Sequence, residues 1–184
     1  MESFYELFYP GEQNGVHTLT LPLGTGYIPM IYLEDAAKYT DWAFTHPEQS
    51  NGIRFAIATA HVSGHDFEKA FKAVTGKPAK YQDVPKDMWL QAAFGSLPKG
   101  PDTKIGAGKV HDSVLLQTYA EDFGNWFETY KATGNNTGLL QRDYDFLDKI
   151  LPDRVKSLEE WMKAVGYNGE PKALLKDLAE RNAA

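Results

Sequence analysis

The apolar positions of residues 24–58, GTGYIPMIYLEDAAKYTDWAFTHPEQSNGIRFAIA, change their period twice, which predicts one half-turn of an α/β protein. Residues 27–33 read as an extended piece. Ala36, Tyr39, Thr40, Ala43 and Phe44 then recur at i, i+3, i+4, i+7 and i+8, with Glu34 and Asp35 in the first turn, where the helix dipole favours negative charge. His46-Pro47 stops that helix and Ser50-Asn51-Gly52 turns the chain. Ile53, Phe55 and Ile57 alternate with Arg54, Ala56 and Ala58, which predicts a strand over 53–58. A strand delivered by a crossover helix belongs in a parallel sheet. The sequence offers few neighbours to pair it, so its edge is expected to be exposed, or covered by a protein partner or a second copy.

Outside that stretch the same reading gives mostly helices. Residues 1–9 hold Phe4, Tyr5, Leu7 and Phe8, with Ser3 and Glu6 at capping-box spacing, and read as the end of a longer helix. Asn14-Gly15 is a turn and residues 16–21 alternate as a strand, Val16, Thr18 and Thr20 against His17, Leu19 and Leu21. Ser63 with Asp66 forms a capping box before the stripe Phe67, Ala70, Phe71 and Val74, which ends at Gly76 and Pro78. A short extended piece over 79–84 leads to Pro85 at the start of a helix reaching about Phe94. Residues 95–108 contain six Gly or Pro among fourteen and read as a loop. Leu116, Tyr119, Ala120, Phe123, Phe127 and Tyr130 carry the longest helical stripe, ended by Gly134-Asn135-Asn136. Tyr144, Leu147 and Ile150 predict a short helix before Pro152. Ser157 and Glu160 open another, with Leu158, Trp161, Met162 and Val165 on one side and Gly166 at its end. A weak helix follows from Lys172, carrying Leu174, Leu175 and Leu178. The expected organisation is one domain over 1–184, with a sheet-associated part at 1–84 and a helical lobe at 85–184.

Composition narrows the function. Lys plus Arg total 19 against 25 Asp plus Glu, a net charge of −6, and no basic run gives the positive footprint that a nucleic-acid partner needs. No cysteine is present, which removes disulfides, thiolate zinc sites and cysteine nucleophiles, and fits a reducing compartment. No apolar run approaches a membrane span and the first residues lack the pattern of a signal peptide, so a cytoplasmic protein is expected.

Motifs that carry chemistry are sparse. Gly24-Thr25-Gly26 and Gly106-Ala107-Gly108 are candidate phosphate cradles, but Pro29 and His111 stand where G-x-G-x-x-G needs its third glycine. His61 and His65 are four apart, yet the cap at Ser63 falls between them, so they do not share a helical face as metal ligands would. His17, His46 and His111 read as surface or turn residues. None of the ten tyrosines has Lys four residues on, so the Tyr-x-x-x-Lys proton-transfer pair is missing. Glu34-Asp35 and Glu159-Glu160 read as helix-start charges. Trp42, Trp89, Trp126 and Trp161 read as core or pocket walls.

The run PLGTGYIPMIYLEDAAKYTDWAFTHPEQSNGIRFAIATAHVSGHDFEKAFKAVTGKP (22–78) resembles the second half of NmrA-like proteins, atypical members of the extended short-chain dehydrogenase/reductase superfamily. Strand, acid-led helix, P-E-x-S-N-G turn and G-K-P ending occur in order. RDYDFLDKILPDRVKSLEEWMKAVGY (142–167) is similar to the C-terminal region of fungal members. The resemblance implies a partial Rossmann-type sheet with a mostly helical substrate lobe. In the family a glycine-rich turn binds NADP or NAD, and none of its motif residues has a counterpart here, so neither cofactor is expected to bind this chain alone. Two function classes follow from the resemblance: the substrate-side portion of an NAD(P)-dependent oxidoreductase, or a non-catalytic regulatory or protein-binding module, for which the nucleus is a second compartment. No catalytic or cofactor-binding residue is assigned. Met30, Tyr32, Trp89 and Tyr119 are the residues expected on the wall of a small-molecule substrate pocket.

Overall fold

A computed structural model describes residues 1–106 and 116–172. The elements are β1 (Gly11–Gln13), β2 (Val16–Leu21), β3 (Ile28–Met30), α1 (Leu33–Thr45), α2 (Pro47–Ser50), β4 (Ala60–Val62), α3 (Gly64–Thr75), β5 (Ala79–Asp83), α4 (Lys86–Phe94), α5 (Tyr119–Lys131), α6 (Tyr144–Ile150) and α7 (Leu158–Val165). Short 3-10 turns cover Glu2–Tyr5 and Gly100–Asp102. The fold is mixed α/β, as expected. Ala107, Gly108, His111 and the weak C-terminal helix with Leu174, Leu175 and Leu178 lie outside the described residues.

Two small sheets anchor the helices. In the first, β2 pairs antiparallel with β1 and parallel with β5, in the order β1-β2-β5. Asn14 and Gly15 both take positive φ, 53° and 76°, the backbone that a tight hairpin needs. The second sheet pairs β3 with β4 antiparallel, Pro29 opposite His61. Alternation along β2 turns His17, Leu19 and Leu21 inward, so His17 is buried against Phe71, 4.7 Å between ring centroids, and is not a surface residue.

The caps expected at Ser63 and Ser157 form. Ser63 and Asp66 make a reciprocal capping box, and α3 ends on Gly76 at φ 69°. A serine cap recurs near the other end of the chain: the Ser157 hydroxyl accepts from the Glu160 amide, and α7 closes on Gly166 at φ 63°. Thr118 and Glu121 cap α5 in the same reciprocal way, a box not among the expected ones. Helices α3 and α7 enclose Phe67, Phe71, Trp161 and Met162, all fully buried, with Phe4 and Tyr167 completing the ring cluster.

Four expectations are corrected. Residues 53–58 form no strand; the strand is Ala60–Val62, and it enters an antiparallel pair. Phe55 instead packs among Tyr39, Trp42 and Phe146, so contacts with α1 and α6 hold the segment in place of a backbone ladder. The exposed sheet edge expected at that segment therefore does not exist. Residues 1–9 hold a 3-10 turn over Glu2–Tyr5 in place of a longer helix, with Met1 at its N-cap position and no side-chain cap there. The buried face of α1 is also rotated from the expected stripe: Asp35 and Tyr39 are buried, while Thr40 is exposed and Phe44 is 82% exposed.

Candidate functional site

A cavity of about 650 Å³ lies between β3, the N-terminal turn and the aromatic face of α5. Its volume falls in the range of small-molecule pockets, roughly 300–1,000 Å³. One wall is Ile28, Pro29, Met30 and Ile31, and the facing wall is Phe94, Tyr119, Phe123, Trp126 and Tyr130. Met1, Leu7, Phe8 and Leu33 close its ends.

Local structure explains how these side chains meet. The capped start of α5 fixes its rotation, which sends Phe127 into the core at 1% exposure and leaves Phe123, Trp126 and Tyr130 along the cavity. The last turn of α5 is tied to the entry of β3, because the Tyr27 amide donates to the carbonyls of Tyr130 and Thr133 at 3.2 and 2.9 Å. Gly26 is required there: a Cβ would lie 2.7 Å from the Lys131 Cα and collide with the Tyr130 carbonyl.

The sequence-derived wall residues divide. Met30 and Tyr119 stand on opposite walls of the cavity. Trp89 is buried behind it, edge-on to Phe127 at 4.7 Å and to Phe94 at 5.9 Å, so it supports the aromatic wall without facing the cavity. Tyr32 lies between two lining residues but is not one of them. Its hydroxyl donates to Glu34 at 2.8 Å, and that carboxylate, with some burial, pushes the phenol up to about 12. Phe94 on α4 and Phe123 and Tyr130 on α5 were missed as lining residues, and Trp126, read as core or pocket wall, is wall. The signal on α5, a ring on nearly every turn, was present in the sequence but equally fits a core helix.

The polar groups of the cavity are few. Glu2, Ser3 and Glu6 line it, and its lining residues include no lysine or arginine. The Met1 amino group is paired with Glu2 at 3.0 Å and with the Ile31 carbonyl. Among the described residues no group of three or more His, Asp or Glu could hold a metal ion, and no helix is long and apolar enough to cross a membrane.

A second polar constellation lies away from this cavity. His61 is buried with both ring nitrogens engaged, Nε2 2.7 Å from the Leu140 carbonyl and Nδ1 2.7 Å from the Tyr144 hydroxyl. A carbonyl only accepts, so Nε2 carries the proton and Nδ1 accepts from Tyr144. Burial lowers the His61 pKa and raises that of Tyr144 to about 12, so the pair is held neutral. Beside it Arg154 donates to Asp148 at 2.6 Å, to the Thr59 carbonyl at 2.8 Å and to the Val155 carbonyl at 3.1 Å. Asp35, 1% exposed, accepts from the Val155 amide and from Lys38. It is a buried tie between α1 and the chain before α7, beyond the helix-start role expected of it.

A mixed α/β fold with an apolar, ring-walled cavity is the class these observations define. The chain belongs to the NmrA-like family, whose model matches residues 1–161. No curated protein matches it significantly. Members of this family generally bind NAD(P), in an oxidoreductase-like or regulatory fold.

The turn at residues 24–26 does not fit the pyrophosphate of such a cofactor. The Gly24 amide, which a phosphate cradle would use, donates to the Asp83 carboxylate at 2.7 Å, and the turn leads into β3, not into a helix. An anion placed there would meet a carboxylate already bonded to that amide.

Proposed function

We propose that these residues form the substrate-side portion of an NAD(P)-dependent oxidoreductase of the NmrA type, with the cavity beside α5 as the substrate wall. The observation that carries this reading is the meeting of Met30 and Tyr119 across one apolar cavity in a chain of this family. The dinucleotide-binding half lies outside these residues, in agreement with the occupied Gly24 amide. A cytoplasmic protein suits this chemistry.

Calorimetric titration of the 184-residue chain with NADPH and NADH tests the reading. The expected result is no saturable binding in the micromolar range. Saturable binding would place a dinucleotide site within this chain and overturn the division of labour.

The second reading, a non-catalytic regulatory or protein-binding module, is favoured by one observation. The cavity rim carries exposed apolar side chains, Leu7 at 37%, Leu33 at 59% and Trp126 at 40%, which a partner surface could cover.

A further inference from the structure

We propose that the cavity beside α5 takes a flat, uncharged aromatic molecule and rejects one that carries an anionic group. This rests on the reading of the cavity as a substrate wall, and adds the chemical class of its ligand.

The ring wall is continuous. Phe94 lies 4.5 Å from Tyr119 and 4.9 Å from Phe123, and Phe123 lies 4.6 Å from Trp126, centroid to centroid. The Tyr119 and Phe123 planes are within 13° of parallel, 6.2 Å between centroids, so the two rings stand in register along the wall. Such a surface favours offset or edge contacts with a further ring over contacts with a saturated body. Met1, Pro29 and Met30 also line the cavity, and thioethers adapt to a ring edge. Trp126 sits at the mouth, 40% exposed, and would be covered by the bound ring.

Charge supplies the selection. An anion entering this cavity would give up water without gaining a cationic side chain from the described residues, since their lining has no lysine or arginine and the Met1 amino group is held by Glu2. The cost of that unpaired charge falls on carboxylates and phosphates and spares a neutral ring.

Three probes test the proposal on the whole chain by calorimetry, with tryptophan quenching to locate the site. They are 9-anthracenemethanol (flat, neutral), 9-anthracenecarboxylate (flat, anionic) and 1-adamantanemethanol (neutral, not flat). The flat neutral probe is expected to bind at least ~10-fold more tightly than either of the others. Trp126→Phe should remove the quenched part of the emission. Trp126→Leu should weaken binding of the flat neutral probe while the melting temperature stays unchanged. Equal binding of the carboxylate, or of the adamantane, would overturn the inference and leave the cavity as a ligand site. No binding of any probe, including exclusion by a dimer seen in light scattering, would overturn the inference and the substrate-wall reading together.

Discussion

The cavity beside α5 and the seam beneath α6 are both assembled from distant parts of the chain, but they are opposites in chemistry. Rings and thioethers wall the cavity, and its rim leaves Leu7, Leu33 and Trp126 in water. The seam buries His61, Asp35 and Arg154, and each has its partners among β4, α1, α6 and the chain before α7. Burial shifts ionisation in both places: it lowers His61 and raises Tyr144 in the seam, and it lowers the Met1 amino group and raises Tyr130 in the cavity. Perturbed groups gather at functional sites, and they gather equally where a polar network locks elements together. At His61 every hydrogen-bonding atom is used, which leaves none for a ligand. The lesson is to look for what a region leaves unfilled.

Breaking the seam should cost most. Arg154→Ala removes four contacts, including the stack of the guanidinium over Tyr144, and should destabilise the protein by about 3 kcal/mol, read by denaturant titration. Probe binding in the cavity should persist wherever the variant is folded. Gly26→Ala should cost about 2 kcal/mol, because the added methyl overpacks the contact with the end of α5. It differs from the Arg154 variant in moving a cavity wall, so probe affinity should fall with stability.

Acid should loosen the seam through His61. Burial holds the folded-state pKa of His61 below its ordinary 6.5, against a raising contribution from the Leu140 carbonyl, with Arg142 also lowering it. The unfolded chain then binds more protons between those two values. Stability is present in full above the ordinary value and is lost as pH falls through it toward the lower folded value. His61→Gln should flatten the slope of stability against pH in that window. The depressed carboxylates, such as Glu68 beside Lys72, act only at lower pH, near and below their ordinary 4.5.

Smaller effects complete the contrast. Ser63→Ala removes the cap of α3 and should cost about 1 kcal/mol, with no change in probe binding. Trp126→Leu lies at the cavity rim and should change stability by less than about 0.5 kcal/mol while weakening the flat neutral probe.

Elements with local signals were legible. The capping box at Ser63, the serine cap at Ser157 and the left-handed glycines at 76 and 166 fixed α3 and α7 closely, since each depends on atoms within one turn. Segment 53–58 misled because alternation also arises when an irregular segment lies between two helices, with Phe55 turned into an aromatic cluster. His17 was legible by position and misread by type: period two placed it with Leu19 and Leu21, which are buried. Of the candidate wall, Met30 and Tyr119 could be named because each lies on an apolar face. Trp89 shows the limit, since a ring on an apolar face can stand behind a wall as readily as on it.

Local sequence signals already mark where most helices begin and end and which of them are amphipathic, and the lack of cysteine rules out thiolate chemistry. Capping, proline stops and left-handed glycines act through hydrogen bonds and sterics a few residues long. Only the tertiary structure decided that β3 pairs with β4, that Asp35 ties α1 to Val155, and that the rings of α5 divide between core and cavity. These outcomes depend on which distant segments share the loss of water, and a one-dimensional period names a face without naming its partner.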